Sequence, residues 1–372
     1  MTKDDVQEIN IRRPKVTICV PVRNGARTIR RTLDSVLAQD YPNFEVIVSD
    51  NCSDDDTADI VREYKKQGVQ YYFNPKLEEW VDKNWNCAES NWNYVLSLAK
   101  GKFIALYHAD DLYLPTMVSK QVEFLLNHQK SSAVFTSTQK IDDFDRPIRK
   151  VFTRLPEELK DQEEFDFPDL FNAVLQFGNF LTVPTLMVRR ESLETIGLFR
   201  CKFCSADDID MWFRLSQWGT VGMIDEPLHN YRVSVHQGSA YSLKFRTYRS
   251  HFLQVMDHYL SIPDFRQLVT AQAFRYYEMH STFDDIIRAM NIFFLGNVTD
   301  ARLLMKSALS RPAFKEGLRT KRFARQFLLS LPVFVAIQLG LRKLLYSLYE
   351  KQYKPWRRYG RLPLLEREKL GG

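Results

Sequence analysis

Cysteine is scarce in this chain, with five among 372 residues (Cys19, Cys52, Cys87, Cys201 and Cys204). An odd number spread through a long chain excludes a disulfide framework and reads as reduced, cytosolic usage. Cys201 and Cys204 form one C-x-x-C, but no second pair or histidine cluster completes a zinc site, so both read as structural thiols. The N-terminus carries Lys3, Asp4, Asp5 and Glu8 and no apolar run, which excludes a signal peptide. No G-x-G-x-x-G follows the first expected strand and no G-x-x-x-x-G-K-S/T occurs, which argues against a dinucleotide site and a P-loop. Internal repeats and low-complexity segments are missing too. From Ala301 onward there is no aspartate at all: 17 Lys/Arg face 4 Glu, a net +13.

The first 300 residues therefore carry −7 of the overall +6. An acidic body with a basic tail implies an anionic partner for the tail, whether phospholipid, lipid phosphate or nucleic acid. The body holds no recognised nucleic-acid module, so nucleic acid is not an expected partner. Residues Phe327 to Leu341 are apolar except for Ser330, Gln338 and Gly340, but 15 residues are short of the roughly 20 that span a bilayer. Basic residues flank the stretch, from Arg319 to Arg325 and from Arg342 to Arg358. An interfacial helix on anionic lipid and a buried helix of a C-terminal subdomain both fit.

Val16 to Pro21 is a continuous β-branched run, as in a strand covered on both faces. Ile29, Leu33, Val36 and Leu37 follow at helical spacing, then a second strand (Phe44 to Ser49), a helix around Ile60 to Tyr64 and a third strand (Val69 to Phe73). Strands alternating with helices predict a doubly wound, mostly parallel sheet, with the ligand crevice at the strands' carboxyl ends. Lys102 to Tyr107 is a further strand. Leu112 to Pro115 is expected to open a helix, Asp142 to Asp169 to be irregular, and Val221 to Ile224 to be the last strand. Trp80, Trp85 and Trp92 with Asn84, Asn86 and Asn93 suit either a sugar or an aromatic packing face.

Three acidic turns carry the chemistry. Asp110 and Asp111 sit directly after a buried strand, where adjacent carboxylates repel unless a cation or a helix N-terminus neutralises them. Mg2+ or Mn2+ bridging to substrate phosphates is one solution, and helix capping ahead of Pro115 is the other. Asp50 also follows a strand and suits a base N–H or a ribose hydroxyl, whereas Asp54 to Asp56 read as turn and cap residues. Asp207, Asp208 and Asp210 open a helix, whose dipole favours the ionised form that a general base needs.

Residues 16 to 239 resemble the family 2 glycosyltransferases, which have the GT-A fold. The resemblance runs through Val20 to Gly25, Ser49 to Ser53, Gly101 to Ile104 with His108 to Asp111, Asp207 to Trp212, and Asp225 to Leu228 leading to Tyr231 and Arg232. It implies a GT-A catalytic domain over about residues 14–240, with a nucleotide half of about 14–115 and an acceptor half of about 116–240. A basic helical region would follow over 241–372. By resemblance, Pro21, Asn24 and Asp50 line the nucleotide, Asp110 and Asp111 hold the metal, and Asp208 is the catalytic base. Arg232 and His236 match a segment that touches the diphosphate or the metal. His108 stands where the family has the first aspartate of D-x-D. Asp207 stands for the usual glutamate, leaving the base open between Asp207 and Asp208, with Asp208 favoured. The implied activity is an inverting transfer from a nucleotide-diphospho-sugar donor to a glycan or lipid-linked acceptor. A cytoplasmic protein, peripheral on the inner membrane face through residues 319–358, is the expectation; a non-catalytic nucleotide-sugar binder is the rival.

Overall fold

Unbroken apolar blocks pair with one another before anything else can cover them. The computed structural model describes residues 13–75, 88–153, 155–233 and 246–352. Strand β1 (Val16–Val22) is buried along its whole length. Helix α1 (Ile29–Leu37) turns Ile29, Leu33 and Val36 inward. Strand β2 (Phe44–Asp50) lies parallel to β1, with Val22 opposite Asp50. Helix α2 (Thr57–Glu63), strand β3 (Val69–Phe73), helix α3 (Ala88–Leu98) and strand β4 (Phe103–Leu106) complete a parallel group in the order β3-β2-β1-β4. Gly101, just before β4, allows a close approach that no other residue would. A Cβ there would stand 2.6 Å from the Thr17 nitrogen and within 2.8 Å of the Phe103 and Lys15 carbonyl oxygens.

The chain continues with β5 (Leu112–Tyr113), α4 (Met117–Asn127), β6 (Ser131–Ile141), β7 (Pro147–Thr153), β8 (Glu164–Phe165), α5 (Phe167–Phe177), β9 (Leu186–Arg189), α6 (Arg190–Ile196), α7 (Asp207–Trp218) and β10 (Thr220–Arg232). Beyond β4 the sheet runs β9-β6-β10-β5, with β7 beside β6 and β8 beside β10. Here it is mixed: β9 is antiparallel to β4 and β6, while β10 is parallel to β6. The expected α/β sheet is present, and a helical C-terminal part follows it.

Several local expectations give way. Leu112 and Tyr113 are a short strand, because Leu112 pairs with Asn230 on β10, and the helix begins only at Met117. The segment 142–169 contains β7, β8 and the start of α5. Strand β6 was hidden by its hydroxyls: Ser131, Ser132, Thr136, Ser137 and Thr138 are all buried. Their polarity is absorbed internally. Ser132 donates to the Leu215 carbonyl at 3.0 Å, and Ser137 pairs with Asp225. Strand β10 extends eight residues past Ile224, through irregularities at Ile224/Pro227 and Pro227/His229. Those irregularities carry His229 and Arg232 into the site.

A second compact unit runs from Ser234; the domain break expected at residue 240 lies outside the described residues. Its helices are α8 (His251–Leu260), α9 (Pro263–Arg266), α10 (Ala271–Phe294), α11 (Val298–Ser310), α12 (Pro312–Arg319), α13 (Lys321–Gln338) and α14 (Arg342–Gln352). Met279, Ile286, Phe293, Met305, Phe327 and Ile337 form its core. Buried Asp284 and Asp285 on α10 are neutralised by Arg246, Arg288 and Arg311. Among the described residues no helix is long and apolar enough to cross a membrane.

Candidate active site

The turn after β4, His108-Ala109-Asp110-Asp111, is gripped from three elements. From α1, the Thr32 hydroxyl shares its hydrogen between the carbonyls of Ala109 (2.9 Å) and Asp111 (2.8 Å). From β5, the Tyr113 hydroxyl accepts from the His108 amide at 2.6 Å, while the Tyr113 ring stacks on Tyr107. From β10, the Arg232 amide donates to Asp111 Oδ1 at 2.8 Å and its Nε to the Asp110 carbonyl at 2.7 Å. His229 Nε2 lies 3.0 Å from Asp111 Oδ2, off the line of a hydrogen bond, and its Nδ1 lies 3.0 Å from the Thr138 hydroxyl. Asp111 is wholly buried, so its carboxylate serves first as the anchor of the turn.

His108, Asp110 and Asp111 offer ligand atoms that all lie within 4.8 Å of one another, the one such group among the described residues. His108 Nε2 is buried and lacks a hydrogen-bond partner. Burial pushes this imidazole down to about 4, against the pull of Asp111, so its lone pair is available at neutral pH. The residues present fit a divalent cation, and histidine in place of aspartate does not remove a donor atom. His236, the third expected ligand, lies outside the described residues.

Arg232, expected beside the diphosphate or the metal, lies against the acidic turn itself. Its side chain is 1% exposed, and a guanidinium buried that deeply must be satisfied within the protein. Besides the Asp110 carbonyl it reaches the Asp142 carbonyl at 2.9 Å and Asp145 at 2.5 Å. It clamps the acidic turn to the β6–β7 hairpin rather than facing outward.

One strand over, the turns after β1 and β2 are stitched together. Asn24 takes a left-handed conformation (φ 52°); its amide donates to the Ser53 hydroxyl at 2.9 Å and its Oδ1 accepts from the Asp54 amide at 3.0 Å. Pro21 is buried opposite Ser49. Asp50 is 1% exposed; Oδ1 accepts from the Ser53 amide (2.9 Å) and Oδ2 from the Tyr71 hydroxyl (2.8 Å). Each oxygen keeps a second lone pair for a ligand. Burial, with Asp50 beside it, pushes Tyr71 up to about 12, so the phenol stays a donor. Of the three acids read as caps, Asp55 does the work, accepting from the Ala26 and Thr57 amides.

The two acids at the head of α7 have different surroundings. Asp207 is wholly buried, and its Oδ1 accepts from the amides of Lys202 (2.8 Å) and Phe203 (2.6 Å). Burial raises its carboxyl above the ordinary aspartate range, partly offset by those two bonds. Asp208 is partly exposed; Asn179 Nδ2 donates to its Oδ2 at 2.9 Å. Asp210 is buried against Arg214 at 2.8 Å. Trp92 links this end of the site to the β4 turn, stacking on His108 (5.5 Å) and meeting Phe199 edge-on (5.2 Å). Asn93 bonds both backbone groups of Phe199. Trp92 and Asn93 are thus packing residues; Trp80, Asn84, Trp85 and Asn86 lie outside the described residues.

Sequence reasoning missed His229, Asn179 and Tyr71. His229 lies inside a motif already singled out, yet a lone histidine in a strand gives no sign of facing an aspartate more than a hundred residues away. None of the four described cysteines is in a disulfide.

A mixed sheet whose parallel strands end in an acidic turn and a stitched pair of polar loops, with a partly exposed acid on a neighbouring helix, fits a glycosyltransferase of the GT-A type. Residues 17–197 match the family model described as Glycosyl transferase family 2. The putative glycosyltransferase EpsE of Bacillus subtilis is 27% identical over 222 residues, covering 59% of this chain and 73% of the relative. A second relative, from Escherichia coli, is the UDP-Glc:alpha-D-GlcNAc-diphosphoundecaprenol beta-1,3-glucosyltransferase WfaP. It is 26% identical over 62% of this chain and 81% of its own length. Among solved structures, the mannosyltransferase PcManGT of Pyrobaculum calidifontis, in complex with GDP-Man and Mn2+, shares the fold. Its TM-score is 0.52 at 19% identity, over 88% of this chain and 86% of that one.

Proposed function

We propose that this enzyme moves a sugar from a nucleotide-diphospho-sugar to a hydroxyl of a glycan or lipid-linked acceptor, with inversion, in surface polysaccharide or glycoconjugate assembly. The observation that carries the reading is the ligand group of His108, Asp110 and Asp111 at the end of β4, on the same parallel sheet edge as Asp50. Adjacent strands are about 4.8 Å apart, so β2 and β4, either side of β1, set the two turns roughly 10 Å from each other. That interval suits a nucleoside at one end and its diphosphate at the other.

Residues 14–115 form the donor half in this reading and 116–240 the acceptor half. Asp50 accepts from the base, with Asn24 and Pro21 shaping the pocket wall. His108, Asp110 and Asp111 would hold Mg2+ or Mn2+, which when bound supplies positive charge to the diphosphate. The imidazole favours Mn2+, since Mg2+ prefers an all-oxygen shell. Arg232 and His229 keep the turn in place. Asp208 takes the proton from the acceptor hydroxyl as that oxygen bonds to the anomeric carbon and the bond to the diphosphate breaks. The burial of Asp207 and its two backbone donors support Asp208 over Asp207 for this task. The lipid-linked acceptor of WfaP supports a lipid-linked acceptor here, and with it action at the inner face of the cell membrane.

A screen of UDP-, GDP- and dTDP-sugars, with and without Mn2+, tests the reading. Release of nucleoside diphosphate from one donor, dependent on added cation and on acceptor, is the expected result. Donor binding without release under every condition would make the chain a nucleotide-sugar-binding protein instead.

A further inference from the structure

Helix α13 is built the wrong way round for a soluble subdomain. Its inward side is ordinary: Phe323, Phe327, Ser330 and Ile337 are buried. Its outward stripe, Lys321, Arg325, Leu328, Pro332, Val335 and Leu339, repeats at intervals of three and four residues. The first two are basic, and beyond them the stripe is apolar. Leu328 is 55% exposed, Val335 50% and Leu339 66%, with Leu329 and Leu331 exposed beside them. Single exposed leucines are common, but three turns of them on one face mark a contact surface.

The charge around the stripe indicates what covers it. Between Gly317 and Tyr349 there are six Lys/Arg and no acid. Lys321 and Arg325 lie at one end of the stripe, Arg342 and Lys343 just past the other. A cavity of about 550 Å3 lies at that second end, lined by Phe293, Val298, Leu341, Arg342, Lys343 and Leu344 among others, so apolar walls and two cations share one cleft. The helix is not long and apolar enough to cross a bilayer. We infer that the outward face of α13 docks on an anionic membrane surface, with Leu328, Val335 and Leu339 in the headgroup boundary and the flanking cations over lipid phosphates. The inference deepens the lipid-linked-acceptor reading by naming the surface that would bring the enzyme to such an acceptor.

Co-sedimentation of the full chain with vesicles tests it, using phosphatidylcholine alone against phosphatidylcholine with about a third phosphatidylglycerol. No sugar donor is present, so a failed surface and a failed reaction are told apart. The expected result is binding to the anionic vesicles, weakened when salt rises from about 0.1 M to about 0.5 M. The pair Val335→Glu and Leu339→Glu should raise the half-binding lipid concentration at least about tenfold, and Lys321→Gln with Arg325→Gln about tenfold. Circular dichroism matching the parent shows that either pair folds. No binding to anionic vesicles overturns the inference, as does binding indifferent to both pairs. So does a dimer in light scattering that the glutamate pair dissociates, which would assign the face to a second copy of the chain.

Discussion

Replacing Asp208 by asparagine removes a charge and almost no volume, which makes it the sharpest test of the base assignment. The carboxylate accepts from Asn179 Nδ2 at 2.9 Å through Oδ2 and from the Ile209 amide at 2.8 Å through Oδ1. An asparagine has one oxygen, so one of these donors loses its partner. At a partly exposed position water replaces it, and the loss of stability stays near or below about 1 kcal/mol. For a unit of this size that lowers the melting temperature by about 2–4 °C. The chemistry suffers far more, because a placed base is worth about 10²–10⁴ in rate, or about 2.7–5.4 kcal/mol in the transition state. Nucleoside-diphosphate release under saturating donor and acceptor should therefore fall by at least about a hundredfold. Donor affinity, measured by calorimetry with Mn2+ present, should stay within about twofold, since the proposed function puts the donor on the β2 and β4 turns and not on α7. Transfer that survives at wild-type rate, or donor binding that disappears while the fold is intact, would refute the assignment.

Asp110→Ala should weaken Mn2+ binding, followed by Mn2+ spin resonance or calorimetry, by at least about tenfold and take donor affinity with it. His108→Asp should leave a working site but move its preference toward Mg2+, read as the ratio of the two dissociation constants. For Asp207, whose folded carboxyl is raised by burial above the ordinary 3.8, the folded state holds the proton longer than the unfolded one. Stability relative to Asp207→Asn must then fall as pH rises from 3.8 through the folded value, and level off above it. Urea unfolding of both proteins at several pH values would show a difference that grows in the opposite direction if the burial argument is wrong. Gly101→Ala should cost at least about 2 kcal/mol in unfolding free energy from urea titration, because the new methyl meets backbone atoms of Lys15, Thr17 and Phe103.

What the chain discloses without coordinates follows from how locally each feature is encoded. Strands β1, β2 and β4 are continuous apolar runs, and the acids at their ends sit in the same sentence of sequence, so both are legible. Strand β6 is not, because Ser131 to Thr138 spell a polar segment until the carbonyls and side chains that absorb its hydroxyls are known. Asp207 and Asp208 look alike in sequence. Only the loop at Lys202 and Phe203 folding back onto Asp207 separates the buried acid from the partly exposed one. Arg232 shows how much of a residue's role lies outside its own motif. Its motif context points at a ligand, while the partners that claim it, Asp142 and Asp145, lie about ninety residues upstream in a segment that looked unstructured.

That shared guanidinium has a practical consequence for anyone grafting new specificity onto this scaffold. The tip of the β6–β7 hairpin, with Phe144 protruding beside it, is an inviting place to exchange loops between relatives. Since Asp145 and the backbone beneath Asp110 are bolted to the same side chain, a transplanted hairpin would arrive with the donor turn loosened unless its own partner for Arg232 travelled with it.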